Sequence, residues 1–274
     1  MTERTKVGLA LGGGGARGFA HIGVLEILQE EGIPLDMIAG TSAGGVVGAI
    51  YAQGKDATLI RNMFVGLDWK KLVALADLTL PKSGFIRGKK IRDFLELILG
   101  GDIRFSDLKI PLACVATDIT TGEEVVIDQG SVLEALRASI SIPGIFAVVK
   151  WKGRYLVDGG LVNPVPVSVL RRAGVDCTIA VNVQPDIKEI AYQADKERTK
   201  SLKEPNIFSV IVQSFQIAQS FRYRSAMEDA DLVILPKVAH IGIGDFHRAE
   251  ECIEQGKLAA QESVLKLRKR LGIY

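Results

Sequence analysis

Histidine and cysteine are scarce in this chain, three of each in 274 residues, and both shortages narrow its chemistry. Cys114, Cys177 and Cys252 are widely spaced and odd in number, with no CxxC and no histidine beside them, so they make neither a disulfide frame nor a metal cluster. They read as reduced core thiols of a cytosolic protein. A surplus of one charge is also lacking. The formal net charge is +2 and the pI about 8.4, which excludes the basic stripe of a nucleic-acid-binding protein. No apolar run reaches the roughly 18 to 20 residues of a spanning helix. The opening "MTERTKVGLALGGGG" has no long apolar stretch of the signal-peptide kind. The chain is therefore expected to be cytoplasmic, with at most peripheral contact to a membrane surface. Repeats and low-complexity tracts are absent too.

What is present is a sequence 47% hydrophobic and 24% charged, long enough for a substantial core. Apolar, β-branched runs alternate with segments of helical period from end to end. This predicts an α/β fold, three layers α/β/α with a mostly parallel central sheet, as a single domain over residues 1–274. "KVGLAL" is the first strand and "RGFAHIGVLEILQEEG" a helix with Gly32 at its carboxyl end. "DMIAG" is a short second strand and "AGGVVGAIYAQG" a buried helix closed by Gly54. Helices follow over Asp56 to Phe64, Lys89 to Leu99, Ser131 to Ser139, Ile207 to Met227 and Arg248 to Leu271, with a polar and aromatic loop around Trp69 to Arg87. Further strands are "IPLACVATDI", "EEVVID", "RYLVDGG", "CTIAVNV" and "DLVILP". From Gln184 to Pro205 the chain is polar without a clean period, which predicts a surface excursion or flap.

Two glycine-rich motifs stand at the front of this order. "LGGGGARG" lies between the first strand and the first helix, where the backbone must turn tightly and a helix start offers unpaired N–H groups to something negative. Gly13, Gly15 and Gly18 also fit the dinucleotide fingerprint, but Asp36 stands at the start of the second strand rather than its end, and no Gly-Lys-Ser/Thr makes a phosphate loop. The other use of such a loop is an oxyanion hole. The next strand ends in Gly40-Thr41-Ser42-Ala43-Gly44, a GxSxG in which flanking glycines let a strand reverse into a helix with the serine hydroxyl exposed. In a parallel sheet both strand ends lie on one edge, so loop and serine can meet one substrate.

Ser42 needs a base, and the three histidines leave two readings open. Ser42, Asp158 and then His240 or His247 follow the chain order of an α/β-hydrolase triad, although a single β-α unit precedes the serine and both histidines flank the loop "IGIGD". His21 sits just inside the first helix, where a packed or capping role suffices. Alternatively the base is Asp158 itself, at the end of "RYLVDGG", with Gly159 and Gly160 permitting a tight turn. Aspartate is a weak base at neutral pH unless partial burial raises its pKa.

"GGGGARG", "GTSAG" and "DGG", in this order, resemble the patatin-like phospholipases. The resemblance covers Val7 to Val167 and takes in "ASISIPGIF" and "LVDGGLVNPVPV"; the short layout and "RGFAHIGVLEIL" are similar to small bacterial members related to neuropathy target esterase. It implies a patatin-like catalytic core over residues 7–167, with 168–274 supplying the remaining strands and helices and a basic terminal helix. It further implies a Ser42–Asp158 dyad, no metal or cofactor, and an oxyanion hole from the amides of Gly14 and Gly15 with Gly13, Arg17 and Gly18 shaping the loop. Family members often carry Asp before the glycine run, where this chain has Leu11-Gly12.

The expected activity is hydrolysis of lipid carboxyl esters, as a phospholipid or lysophospholipid acyl hydrolase. The alternatives are a binding or regulatory module on the same fold and an esterase for small soluble esters. An apolar trough is sought in "FVGLDW", "LVALADLTLP" and "SIPGIFAVV". The terminal "KLAAQESVLKLRKRL", with an apolar stripe and a basic end, could lean on an anionic bilayer.

Overall fold

The structure, a computed structural model, describes residues 4–66, 89–186, 189 and 207–273. The loop expected around Trp69 to Arg87, the trough candidate "LVALADLTLP" and most of the polar stretch from Gln184 to Pro205 lie outside the described residues.

Eight strands form one mixed sheet: β1 (Val7–Leu11), β2 (Met37–Thr41), β3 (Leu112–Asp118), β4 (Glu124–Ile127), β5 (Val149–Trp151), β6 (Arg154–Asp158), β7 (Cys177–Val181) and β8 (Leu232–Ile234). The hydrogen-bonded path runs β5-β6-β3-β2-β1-β7-β8, with β4 paired to β3. The pairs β1/β2, β1/β7, β2/β3 and β7/β8 are parallel; β3/β4, β3/β6 and β5/β6 are antiparallel. A strand has only two edges. Since β4 takes one edge of β3 from Cys114 to Thr117, β2 and β6 share the other, with Thr41 opposite Val115 and Asp158 opposite Ala116. The carboxyl ends of β2 and β6 therefore meet head to head against β3.

Alternation along each strand sorts side chains by size between the two faces. In β1, Val7, Leu9 and Leu11 face the larger core, while Ala10 faces the smaller one with Ala39, Ala113 and Ala180. Helices α1 (Ala20–Glu30), α2 (Ala43–Ala52), α3 (Ala57–Val65), α4 (Lys89–Leu99), α5 (Val132–Ser139) and α8 (Ala249–Leu271) contribute to the larger core, α6 (Val167–Arg172) and α7 (Ile207–Glu228) to the smaller. The caps are local: Asp56 accepts the Thr58 N–H (2.8 Å) at the start of α3, and Ser131 accepts the Glu134 N–H (3.1 Å) at the start of α5. All three cysteines are free and buried.

Two elements differ from the sequence reading. "RYLVDGG" is the second half of a hairpin, since β5 pairs β6 across Lys152-Gly153, both with positive φ (47° and 82°), as a two-residue hairpin turn requires. The six-residue α6 follows Pro166 unannounced by any longer periodic pattern. The terminal helix α8 lies along α1 at close range, a Cβ on Gly23 or Gly256 falling 1.9 Å from the Ile253 or Ala20 carbonyl oxygen. Its Ala260 and Leu267 are buried in the core and Val264 and Leu271 pack against it, so most of the stripe read as a bilayer contact faces the protein. Among the described residues no helix is long and apolar enough to cross a membrane.

Candidate active site

The serine sits where the topology brings most strand ends together. Ser42 has φ 53° and ψ −122°, and Lys152 is the one other non-glycine residue with positive φ among the described residues. Such a conformation costs of order 1–3 kcal/mol and persists only where its surroundings enforce it. Here they do. The Ser42 N–H donates to Ser139 Oγ (2.8 Å), the Ser139 hydroxyl donates to the Val115 carbonyl (2.6 Å), and Thr41 Oγ1 donates to the Asn163 carbonyl (2.8 Å). Glycines let the elbow close: a Cβ on Gly44 would lie 2.1 Å from Leu11 O, and one on Gly40 would lie 2.5 Å from the Gly45 Cα.

Asp158 ends β6 against the same stretch of β3. Its N–H donates to Ser141 O (2.9 Å), Thr117 Oγ1 donates to its carbonyl (2.8 Å), and its Oδ1 accepts the Gly160 N–H (2.8 Å). Oδ2 is buried and has no hydrogen-bond partner among the described residues. Burial pushes the carboxyl up to about 7, while the Ser42 hydroxyl and the Gly160 N–H pull in the opposite direction. The serine hydroxyl thus lies beside the carboxylate, although no aligned hydrogen bond joins the two. Gly159 and Gly160 make the turn that follows; a Cβ on Gly159 would meet Val115 O at 2.3 Å, and one on Gly160 would meet Gln219 Nε2 at 1.9 Å.

The glycine loop forms the third wall. The N–H groups of Gly12 and Gly13 donate to Val181 O and Pro164 O (both 3.0 Å), that of Ala16 to Ile243 O (2.9 Å) and that of Arg17 to Gly14 O (3.2 Å). Between them, the amides of Gly14 and Gly15 make no hydrogen bond among the described residues. A Cβ on Gly13 would stand 3.4 Å from Ser42 Cβ, so loop and serine touch; a Cβ on Gly18 would stand 2.5 Å from that of Ala43. Arg17 is buried, its Nε donating to Ile241 O (2.6 Å) and its Nη1 to Gln184 Oε1 (3.3 Å), and desolvation lowers its pKa.

The histidines are elsewhere. His240 is exposed and bonds to Glu251 (2.7 Å), His247 is exposed, and neither bonds to Ser42 or Asp158. His21 is fully buried with Nε2 on the Gly12 carbonyl (2.7 Å), so that nitrogen carries the proton; burial lowers the pKa to about 4 and the ring stays neutral. The "IGIGD" loop does reach the site, through the Ile241 and Ile243 carbonyls that brace the glycine loop rather than through its flanking histidines. Ser139, Gln184 and Gln219 also belong to the site's surroundings and were not singled out from sequence, because a lone serine or glutamine carries no motif.

A family model for patatin-like phospholipases matches residues 9–171, more than half of the chain. The chain belongs to the patatin-like phospholipase family. An NTE family protein of Mycobacterium tuberculosis is 39% identical over 178 residues, 65% of this chain and 49% of that protein. Lysophospholipase NTE1 of Saccharomyces cerevisiae is 36% identical over 180 residues, 65% of this chain but 11% of that protein. The chain spans about half the length of the mycobacterial relatives it matches. The patatin-like fold is shared with the crystal structure of VipD from Legionella pneumophila, at a TM-score of 0.53 and 18% identity over 95% of this chain and 67% of that one. Ser42, the glycine loop and Asp158 all fall inside the matched span, whereas Ile241 and Ile243 lie beyond it.

Proposed function

We propose that this patatin-like chain is a lipid acyl-ester hydrolase that works through a Ser42–Asp158 dyad, with phospholipids or lysophospholipids as its substrate class. The observation that carries the reading is a buried carboxylate, with one oxygen unpartnered among the described residues, beside a strained serine. Asp158 takes the proton of Ser42 Oγ as that oxygen attacks the ester carbonyl carbon. The amides of Gly14 and Gly15 hold the resulting oxyanion; one such donor is worth about 3 to 4 kcal/mol in the transition state. Collapse expels the alcohol, which takes the proton from Asp158 and leaves the acyl group on Ser42. Water, deprotonated by Asp158, then releases the fatty acid. A base that titrates near 7 suits this cycle, because about half of it is ionised at neutral pH and it can readily hand the proton back. The domain assignment belongs to the same reading: residues 7–167 form the catalytic core, and 168–274 complete one domain by adding β7 and β8 to its sheet and Ile241 and Ile243 to its loop.

A fluorophosphonate probe should label the wild type and not Ser42→Ala, and a panel of phospholipids, lysophospholipids and acylglycerols should show turnover only with the wild type. Activity that survived in Asp158→Asn and vanished in His247→Ala would overturn the dyad. Labelling without turnover of any ester would favour a binding module instead.

Ser139 supplies a separate prediction. Ser139→Ala leaves the buried Ser42 N–H without a partner, a loss of about 1–3 kcal/mol that falls on the elbow. Steady-state kinetics on a soluble short-acyl ester should show kcat lower by about 10- to 100-fold with KM little changed. Wild-type kcat in this variant would show that the glycines alone hold the serine.

A further inference from the structure

α7 carries apolar side chains on two sides, one on the smaller core and one exposed. Among its described side chains the large exposed apolar ones are Ile207 (75% exposed), Val210 (41%), Ile217 (47%) and Phe221 (67%). At about 100° per residue they fall within an arc of about 80°, a stripe about 21 Å long. The opposite side is turned inward: Tyr223 is buried in the smaller core with Ala226 and Met227 packed against it, and Gln219 and, at the margin, Ser220 are buried as well. Gln219 Oε1 accepts from Gln184 Nε2 (2.6 Å), Ser220 Oγ donates to Ile217 O (2.7 Å) and the Tyr223 hydroxyl donates to Pro185 O (3.2 Å). With Tyr223, Ala226 and Met227 already seated on the smaller core, the outward apolar stripe has no core to cover, and such a face is built for an apolar neighbour on the outside.

We propose that the Ile207–Phe221 stripe of α7 is the surface through which the protein docks on an anionic lipid bilayer. Charge and position select this occupant. Arg222 and Arg224 are exposed and flank the stripe, one on each side, and neither forms an ion pair among the described residues. Apolar groups sunk between basic ones is the pattern of a helix lying in the headgroup region. The buried side of the same helix holds Gln219 against Gly160, two residues past Asp158, so a bilayer on the outer side sits beside the proposed active site. This docking role rests on the lipid-ester reading for its purpose, not for its geometry. It also moves the bilayer contact from α8, where Leu258 and Leu265 are the exposed large apolar residues, to α7.

The test is cosedimentation of the full chain with phosphatidylcholine vesicles, with and without phosphatidylglycerol, for the wild type, Ile217→Ser/Phe221→Ser and Arg222→Glu/Arg224→Glu. The wild type should bind vesicles that contain phosphatidylglycerol. The serine pair should lose affinity by about 100-fold, as expected when two large apolar side chains leave an interface, while hydrolysis of a soluble short-acyl ester and the melting temperature hold. The glutamate pair should lose only the preference for anionic vesicles. Undiminished binding by the serine pair, or a wild type that binds no vesicles, overturns the proposal. So does a wild-type dimer, seen by light scattering, that the serine pair converts to a monomer, since the stripe would then join two copies. A chain that binds vesicles through α7 yet cleaves no ester would keep the docking surface and reject the hydrolase.

Discussion

Asp158→Asn is expected to abolish ester hydrolysis and, at pH 8, to make the protein harder to unfold. Both follow from one buried carboxyl. In the unfolded chain it ionises near its ordinary value of 3.8, whereas in the fold burial raises it to about 7. The folded state therefore holds the proton more tightly. Below the unfolded value both states are protonated and the fold bears no penalty. Between about 4 and 7 the unfolded chain ionises first, so stability falls as pH rises, and above 7 the penalty is fully present. Three units at about 1.4 kcal/mol each set its ceiling near 4 kcal/mol. Asparagine can keep the acceptor for the Gly160 N–H and carries no charge. Urea unfolding should show the variant more stable by up to that amount at pH 8, with the advantage fading toward pH 4. Hydrolysis should drop by about 1,000-fold or more, the loss expected when a nucleophile has no base. In the wild type, kcat/KM should decline tenfold per unit below about pH 7. Ser42→Ala is the control: it too loses activity, but it retains the pH-dependent penalty, enlarged because the hydroxyl that favoured the carboxylate is gone. Equal stability of Asp158→Asn and the wild type across this range would mean that the carboxyl is not held as a desolvated base.

The parts of the site that depend on backbone shape are those most legible in the sequence. Glycine loops and a GxSxG must be written in glycine, so the loop before α1 and the elbow at Ser42 stand out, and the alternation of strand and helix patterns was enough to anticipate a layered, mostly parallel fold. Asp158 is legible only as one aspartate before two glycines. Its significance comes from β6 running antiparallel and ending against β2 on a shared edge of β3, a relation between residues about 115 apart that no local pattern encodes. Only the second strand of the hairpin that carries it is legible, because Lys152-Gly153 is an unremarkable pair until both φ values prove positive. The braces at Ile241 and Ile243 are invisible for a different reason: they act through carbonyl oxygens, which every residue has. The exposed stripe of α7 needs the burial pattern, because in a helix with apolar residues on two sides the sequence does not say which side faces inward.

Two adjacent glycines of α2 should respond in opposite ways to the same methyl group. Alanine is the better helix former by about 1 kcal/mol, so helix propensity alone favours both Gly44→Ala and Gly45→Ala. At Gly45 the new Cβ meets Leu136 Cδ2 at 3.4 Å and Gly40 O at 3.5 Å, ordinary contacts with one flexible side chain among them. That variant should be neutral or slightly more stable, with activity intact. At Gly44 the Cβ would lie 2.1 Å from Leu11 O and 2.7 Å from Gly12 O. Neither oxygen can give way cheaply, since Leu11 is held in β1 and the Gly12 carbonyl is bound by His21. Relief requires the start of α2 to move away from the glycine loop, and that displacement separates Ser42 from the Gly14 and Gly15 amides. Gly44→Ala should therefore cost about 3 kcal/mol or more, in the range of severe overpacking, and should depress kcat by about 100-fold or more in whatever fraction folds, because an ångström of misplacement is already that expensive in a preorganised site. Thermal unfolding and single-turnover acylation by a fluorophosphonate would measure both effects. Equal stabilities for the two variants would mean that the elbow and the oxyanion loop are not locked together through this contact.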